Sequence, residues 1–198
     1  MQVDRLGAPD LGAAAAVLAR AFADDPVLTF LLGPGREREI ELIFRALSRD
    51  ALRAGCVEGL RIDGRLAAAA VWLPPAAHPA SLRREARMLP DWLRLAARIP
   101  RAVPRLLEAG RTLDALHPRE PHWFLSLLGV EPALQGRGHG RELVAPGLAR
   151  AMQDGVPVHL DTGRPENVGW YRRLGFEVSE EVRVVSGAPP SWGMRTGG

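Results

Sequence analysis

An apolar run from Trp123 to Val130 passes through a turn at Glu131-Pro132 into Gln135-Gly136-Arg137-Gly138-His139-Gly140, and a helical pattern begins at once. Glycines at alternate positions remove side chains where the backbone must approach a partner closely or adopt conformations closed to other residues. A helix that starts there leaves its first N–H groups without acceptors and carries partial positive charge at that end. Arg137 and Arg141 add formal charge beside it. The stretch is suited to holding an anion, and a diphosphate fits it well.

Three kinds of diphosphate loop compete for this sequence. A phosphate-binding loop of the form G-x-x-x-x-G-K-[ST] is excluded, because no Lys-Ser or Lys-Thr follows. A dinucleotide fingerprint needs G-x-G-x-x-G with an acidic residue about 20 positions on. Asp161 sits at a suitable distance, but the glycines read G-x-G-x-G, and too little chain follows to complete a doubly wound sheet. The third reading includes Gln135 and gives Q-x-x-G-x-G.

Further on, the chain reads VPVHLDTGRPENVGWYRRLGFEV, with Asn167, Tyr171, Gly175 and Phe176 in the spacing N-x-x-x-Y-x-x-x-G-F. The two motifs, in this order, resemble those of the GNAT superfamily of acyl-CoA-dependent N-acetyltransferases. The match is tight over residues 123–182, the expected acetyl-CoA-binding core, whereas the N-terminal half agrees only in its pattern of elements. The resemblance implies an α/β (α+β) fold in one domain spanning residues 1–198. Its mixed, mostly antiparallel sheet would be splayed between strands 4 and 5 and flanked by helices.

The patterning upstream suits that fold. Residues 1–6 read as a strand. Asp10 can cap a helix carrying Leu11, Ala14, Ala15, Leu18 and Phe22 at helical spacing. Asp24-Asp25-Pro26 breaks it, and Val27 to Leu32 is a short apolar continuation stopped by Gly33-Pro34-Gly35. Arg36 to Arg53 forms a second long helix closed by Gly55. Cys56–Ile62 and Arg65–Leu73 are two strands joined at Asp63-Gly64, a strong hairpin signal. Residues 74–118 form a helical insertion between strands 3 and 4, read as two or three short helices broken by Pro79, Pro90, Pro100 and Pro104. In the related family such an insertion often shapes the acceptor pocket; here it can equally cover one face of the sheet. Pro146-Gly147 should kink the helix that runs from Gly138 to Asp154. Strands over Val156–Leu160 and Phe176–Val185, a helix from Pro165 to Gly175 and a last strand around Trp192 and Met194 complete the pattern.

Acetyl transfer to an amine needs a polarised thioester carbonyl, a neutral amine and a stabilised leaving thiolate. By resemblance, the splay frees backbone groups of Leu128, Gly129 and Val130 to bind the pantetheine arm. Gln135, Gly136, Arg137, Gly138, His139, Gly140 and Arg141 take the pyrophosphate, and Asn167 bonds the coenzyme. Tyr171, the only tyrosine, aligns with the family's frequent general acid; otherwise it is a packing residue. The ring of His139 is read as incidental to catalysis. Arg172 or Arg173 can reach the adenosine phosphates. Glu120 and His122, at the entry to the fourth strand, are the candidate bases, each with a structural role as the alternative. Asp24, Asp25 and Trp72 are acceptor-pocket candidates by position.

The 198 residues suit one domain with a sizeable core. All 26 basic residues are Arg, and a net charge of +3 favours an anionic co-substrate without the concentration that nucleic-acid binding needs. A single cysteine, Cys56, allows no internal disulfide and reads as a small buried side chain. No apolar run reaches the roughly 20 residues of a membrane span. The start lacks the basic and apolar regions of a signal peptide, so a cytoplasmic location is expected. The expected reaction takes acetyl-CoA and a primary amine, with a small-molecule acceptor favoured over a protein N-terminus or lysine. No metal, nucleic acid or membrane is expected to take part, and the chain is a monomer or homodimer. An acyl-CoA sensor without turnover is the alternative.

Overall fold

The computed structural model describes residues 2–77 and 80–197; residue 1 and the break expected at Pro79 lie outside them. Strand β1 (Val3–Arg5) leads into helices α1 (Leu11–Ala21), α2 (Pro26–Leu32) and α3 (Glu37–Ala54). The hairpin of β2 (Cys56–Ile62) and β3 (Arg65–Leu73) follows, then α4 (Leu82–Arg98) and α5 (Val103–Leu116). The second half contains β4 (Trp123–Val130), α6 (His139–Asp154), β5 (Val158–Thr162), α7 (Pro165–Arg172), β6 (Phe176–Arg183) and β7 (Pro190–Thr196). One mixed sheet takes the order β1-β2-β3-β4-β5-β7-β6, and β4–β5 is its one parallel pair among the described residues.

Local chemistry explains most of these elements. Asp63 and Gly64 both take positive φ (50° and 75°), the conformation of a two-residue hairpin turn whose twist matches its strands. The Asp25 carboxylate accepts from the amides of Val27 (3.0 Å) and Leu28 (2.9 Å), capping α2 behind Pro26. Asp10 behaves otherwise. Its carboxylate turns back to the Gly7 amide (3.0 Å) and pairs with Arg61 (2.6 Å), so it does not cap α1. Gly55 is required by space: a Cβ there would lie 2.1 Å from the Trp72 carbonyl oxygen.

Residues 74–118 form two substantial helices where shorter pieces were expected. Pro104 occupies the first turn of α5, where no amide is needed, but Pro90 sits inside α4. Leu95, Ile99, Ala102 and Ala109 are buried in the core shared with α1 and α3, and this packing holds the helix through its proline. The insertion therefore covers the α1–α3 face of the sheet.

Strand β4 carries the feature that shapes the rest. Against β3, Leu127 pairs with Val71 but Leu125 pairs with Trp72, so Ser126 is bulged out of register. Beside β5, pairing is limited to Trp123 with Val158 and Phe124 with His159. Beyond those two rungs the strands part, and the expected splay is present.

The other face is closed by α6. The indole of Trp72, fully buried, lies where a Cβ on Gly147 would be, 2.1 Å from Trp72 Cζ2. Pro146-Gly147 thus marks the seat of a tryptophan, and α6 runs on to Asp154. Arg150 of the same helix pairs with buried Glu58 (2.5 Å) and lies over the rings of Trp72 and Trp123. Cys56 is buried nearby, its thiol pushed up chiefly by burial. Gly147→Ala is expected to lower stability by about 1–3 kcal/mol through overpacking. A urea-unfolding midpoint equal to that of the wild type would contradict this seating.

Candidate active site

The parting of β4 and β5 opens a cavity of about 530 Å³. Leu128, Gly129 and Val130 form one wall, and the loop after β4 with the head of α6 forms another. Tyr171 and Asn167 of α7, Ala21 and Phe22 at the end of α1 and Asp25 at the head of α2 also line it. Gly129 is needed because α1 presses on it: a Cβ would lie 2.9 Å from that of Ala21 and 3.0 Å from Leu18 Cδ2. Bidentate pairing of Glu131 with Arg20 of α1 fixes the start of the loop. The Gln135 side-chain amide then donates to the Val130 carbonyl (3.1 Å), folding the loop against the strand end.

Gly136 and Gly138 take φ of 75° and 89°, and Gly138 is the N-cap of α6. These left-handed positions strongly favour glycine and bring the first amides of α6 to the cavity. Gly140 serves a different end, since a Cβ there would meet the Trp170 ring at 3.3 Å. Of the residues expected to hold the pyrophosphate, Gln135, Gly136, Gly138, His139, Gly140 and Arg141 line the cavity, whereas the exposed Arg137 is absent from its lining. Arg141, Arg164 and Arg173 contribute positive charge to the wall, and Asp25 is the one carboxylate among the described lining residues.

Tyr171 is buried, its ring edge-on to Trp170 (4.8 Å between centroids) and Phe176 (5.5 Å). Burial pushes its phenol well above the ordinary value of 10.0, so it is protonated and a hydrogen-bond donor at neutral pH. Asn167 donates to Thr162 Oγ1 (3.3 Å), and the Arg164 amide reaches the same oxygen (3.4 Å), tying α7 to the end of β5. His139 is buried in the loop wall, with Nδ1 lacking a hydrogen-bond partner among the described residues.

The structure does not bring Glu120 and His122 to this cavity. They precede β4, whereas the strand residues that line the cavity begin at Leu128, about 20 Å from His122 at 3.3 Å per residue of strand. Both line a smaller cavity of about 310 Å³ with His117, and Glu120 pairs with Arg195 (3.0 Å). Burial pushes the His122 imidazole down, and it is neutral at pH 7. Trp72 is sealed in the core against α6, and Asp24 is absent from the lining, as is every described residue of 74–118. The sequence reading missed Arg164 and Trp170. Arg164 follows Gly163, which must be small because a Cβ would meet Val27 Cγ2 at 2.6 Å.

Known proteins show the same organisation. Residues 37–176 match the family model described as the acetyltransferase (GNAT) family. The chain belongs to the GNAT acetyltransferase family. It is 26% identical over 202 residues to an uncharacterised N-acetyltransferase of Schizosaccharomyces pombe, covering 93% of this chain and 78% of that protein. A structure described as histone acetyltransferase HPA2 and related acetyltransferase, from Corynebacterium glutamicum, superposes with TM-score 0.69 at 19% identity. That alignment covers 98% of this chain and 94% of the other. A GNAT family acetyltransferase from Brucella melitensis, in complex with acetyl-CoA, gives TM-score 0.52 at 16% identity over 100% of this chain and 88% of the other. At these identities the structures establish the shared fold. Among the described residues, no helix of this GNAT protein is long and apolar enough to cross a membrane.

The position of Asp25 in the wall has a measurable consequence. Its carboxyl is pushed above the ordinary 3.8 chiefly by burial, against the Leu28 amide and Arg164, which act the other way. Folding thus favours the protonated form. That stabilisation is complete below the ordinary value and is lost as pH rises through the raised one. Asp25→Asn cannot ionise and retains a capping oxygen. It is expected to gain stability relative to the wild type across the window that opens near the ordinary 3.8 and closes at the raised value. A Tm difference independent of pH across that window would contradict the burial argument.

Proposed function

We propose that this GNAT protein transfers an acetyl group from acetyl-CoA to a small cationic primary amine by direct attack within a ternary complex. One juxtaposition carries the reading: the half of β4 that has left β5, the glycine loop heading α6, and Tyr171 line a single cavity. The amides of the loop and of the first turn of α6, with Arg141 and Arg173, suit the pyrophosphate and phosphates of coenzyme A. Backbone groups of Leu128, Gly129 and Val130 take the pantetheine arm and polarise the thioester carbonyl as charge grows on its oxygen. Asn167, held by Thr162, orients the arm beside α7. Arg137 adds charge from outside the cavity.

Tyr171 faces the departing sulfur as a hydrogen-bond donor. Its pKa exceeds the roughly 8.5 of an ordinary thiol, so complete transfer of its proton to the thiolate runs uphill. The phenol therefore stabilises the developing charge, and the second proton released from nitrogen as the amide forms passes to the thiolate, the first having left the cationic amine before attack. Asp25 replaces Glu120 and His122 as the carboxylate facing the amine. As the one carboxylate in the described lining, it attracts a cationic acceptor and takes, through water, the proton that leaves before attack. No serine or cysteine is among the described lining residues, which supports direct attack over an acyl-enzyme.

Steady-state kinetics with acetyl-CoA and an amine panel test this reading. Tyr171→Phe should lower kcat about 10- to 100-fold, the worth of a hydrogen bond to a charged atom at about 1.5–3 kcal/mol. Its affinity for acetyl-CoA should stay unchanged. Acetyl-CoA at about 100 times its Kd should stabilise both proteins by about 2.7 kcal/mol, and NADH should stabilise neither. Stabilisation without turnover on any amine or peptide would make the protein a sensor; no stabilisation would remove acetyl-CoA from the account.

A further inference from the structure

A cluster of histidines lies outside the cavity assigned to acetyl transfer. His159 and Asp161 project from β5 to the face opposite Val158 and Leu160, which belong to the α6 side of the core. His117, the C-cap of α5, meets them there, with its ring 4.8 Å from that of His159. One ligand atom from each of His117, His159 and Asp161 lies within 4.8 Å of the other two. His159 is fully buried, and neither ring nitrogen has a hydrogen-bond partner among the described residues; the same is true of Asp161 Oδ1. Yet His159 Nε2 is only 3.2 Å from that oxygen. The two atoms are close without the alignment of a hydrogen bond, as when both lone pairs converge on a third body.

The protonation of the neighbours fits the same purpose. His122 Nδ1 lies 2.9 Å from the Glu120 carbonyl, which can only accept, so this nitrogen donates. The other nitrogen of His122, Nε2, lies 2.9 Å from His117 Nδ1. A histidine that gives one N–H to an outer partner and turns the other nitrogen to a common centre is the usual arrangement around a bound transition metal.

We propose that His117, His159 and Asp161 form a binding site for a divalent cation of the zinc class, with His122 and the Glu120 carbonyl as its outer shell. Two imidazoles and one carboxylate are a donor set that Zn²⁺ accepts, with water completing four-coordination. Ligand atoms about 2.1 Å from such an ion stand roughly 3.4 Å apart, so binding needs only small side-chain rotations. The ion joins the end of α5 to the strand that borders the splay, so it holds the inserted helices to the sheet. No ligand spacing in the sequence announces it, because His117 comes from the insertion and the other two ligands from β5.

The test uses tag-free full-length protein stripped by a chelator and titrated with Zn²⁺, and separately with Co²⁺ as a visible probe. One ion per chain, visible d–d absorption from Co²⁺ and a rise in Tm that saturates at one equivalent are expected. Asp161→Asn and His117→Gln should keep a cooperative melt without metal and lose at least tenfold in affinity. His122→Gln, which removes an outer partner, should lose about 10- to 100-fold. If His159→Ala fails to fold, the Asp161 and His117 variants decide the matter. A natively melting wild type that takes up less than one ion per chain overturns the assignment, as does unchanged affinity in Asp161→Asn.

Discussion

Two parallel strands that pair for two residues and then separate impose a demand on everything around them. Past Phe124 and His159, the side of β4 that faces β5 has no strand partner among the described residues, and buried backbone polar groups need partners of some kind. The Ser126 bulge redirects the strand at the point of separation. Helix α1 presses on Gly129 from one side, and β7 takes the far edge of β5, so the gap cannot simply close. A ligand carrying amide groups, as the pantetheine arm does, satisfies such an edge in the way a missing strand would. The glycine loop then lies where the other end of that ligand must go.

Holding the gap open depends on how firmly α6 is seated. Its glycine accommodates the Trp72 indole, and its arginine is clamped between Glu58 and two tryptophan rings. A buried ion pair alone is weak evidence for stability, because desolvation offsets much of the attraction. Here it adds direction: Arg150 reaches Glu58 only when the helix lies across β2 and β3 at one position, and that position sets where the amides at the head of α6 point. The anion site at one end of the helix is thus fixed by side chains three turns away.

Much of this was legible in the sequence because local rules and the fold agree. Asp63-Gly64, the break at Asp24-Asp25-Pro26 and the strand–glycine loop–helix each mean the same thing alone and in context. Where they disagree, tertiary packing wins. Pro90 lies inside a helix because Leu95 and Ile99 are buried beneath it. Gly147, read as a fault in α6, is the space that Trp72 occupies. Glu120 and His122 were drawn toward the chemistry by their nearness to β4, but an extended strand carries its two ends far apart. Asp25, placed on position alone, lines the cavity because α1 stops where β4 and β5 part. His117 and His159 could not be associated from the sequence, since only the docking of α5 brings them together.

Amide hydrogen exchange with and without acetyl-CoA reads the parted strand edge and the glycine loop residue by residue. The account predicts slowed exchange concentrated at residues 128–130 and 135–141, the strand end and the loop that meet the ligand. Protection elsewhere with none at those amides, or no change at saturating acetyl-CoA, would contradict it.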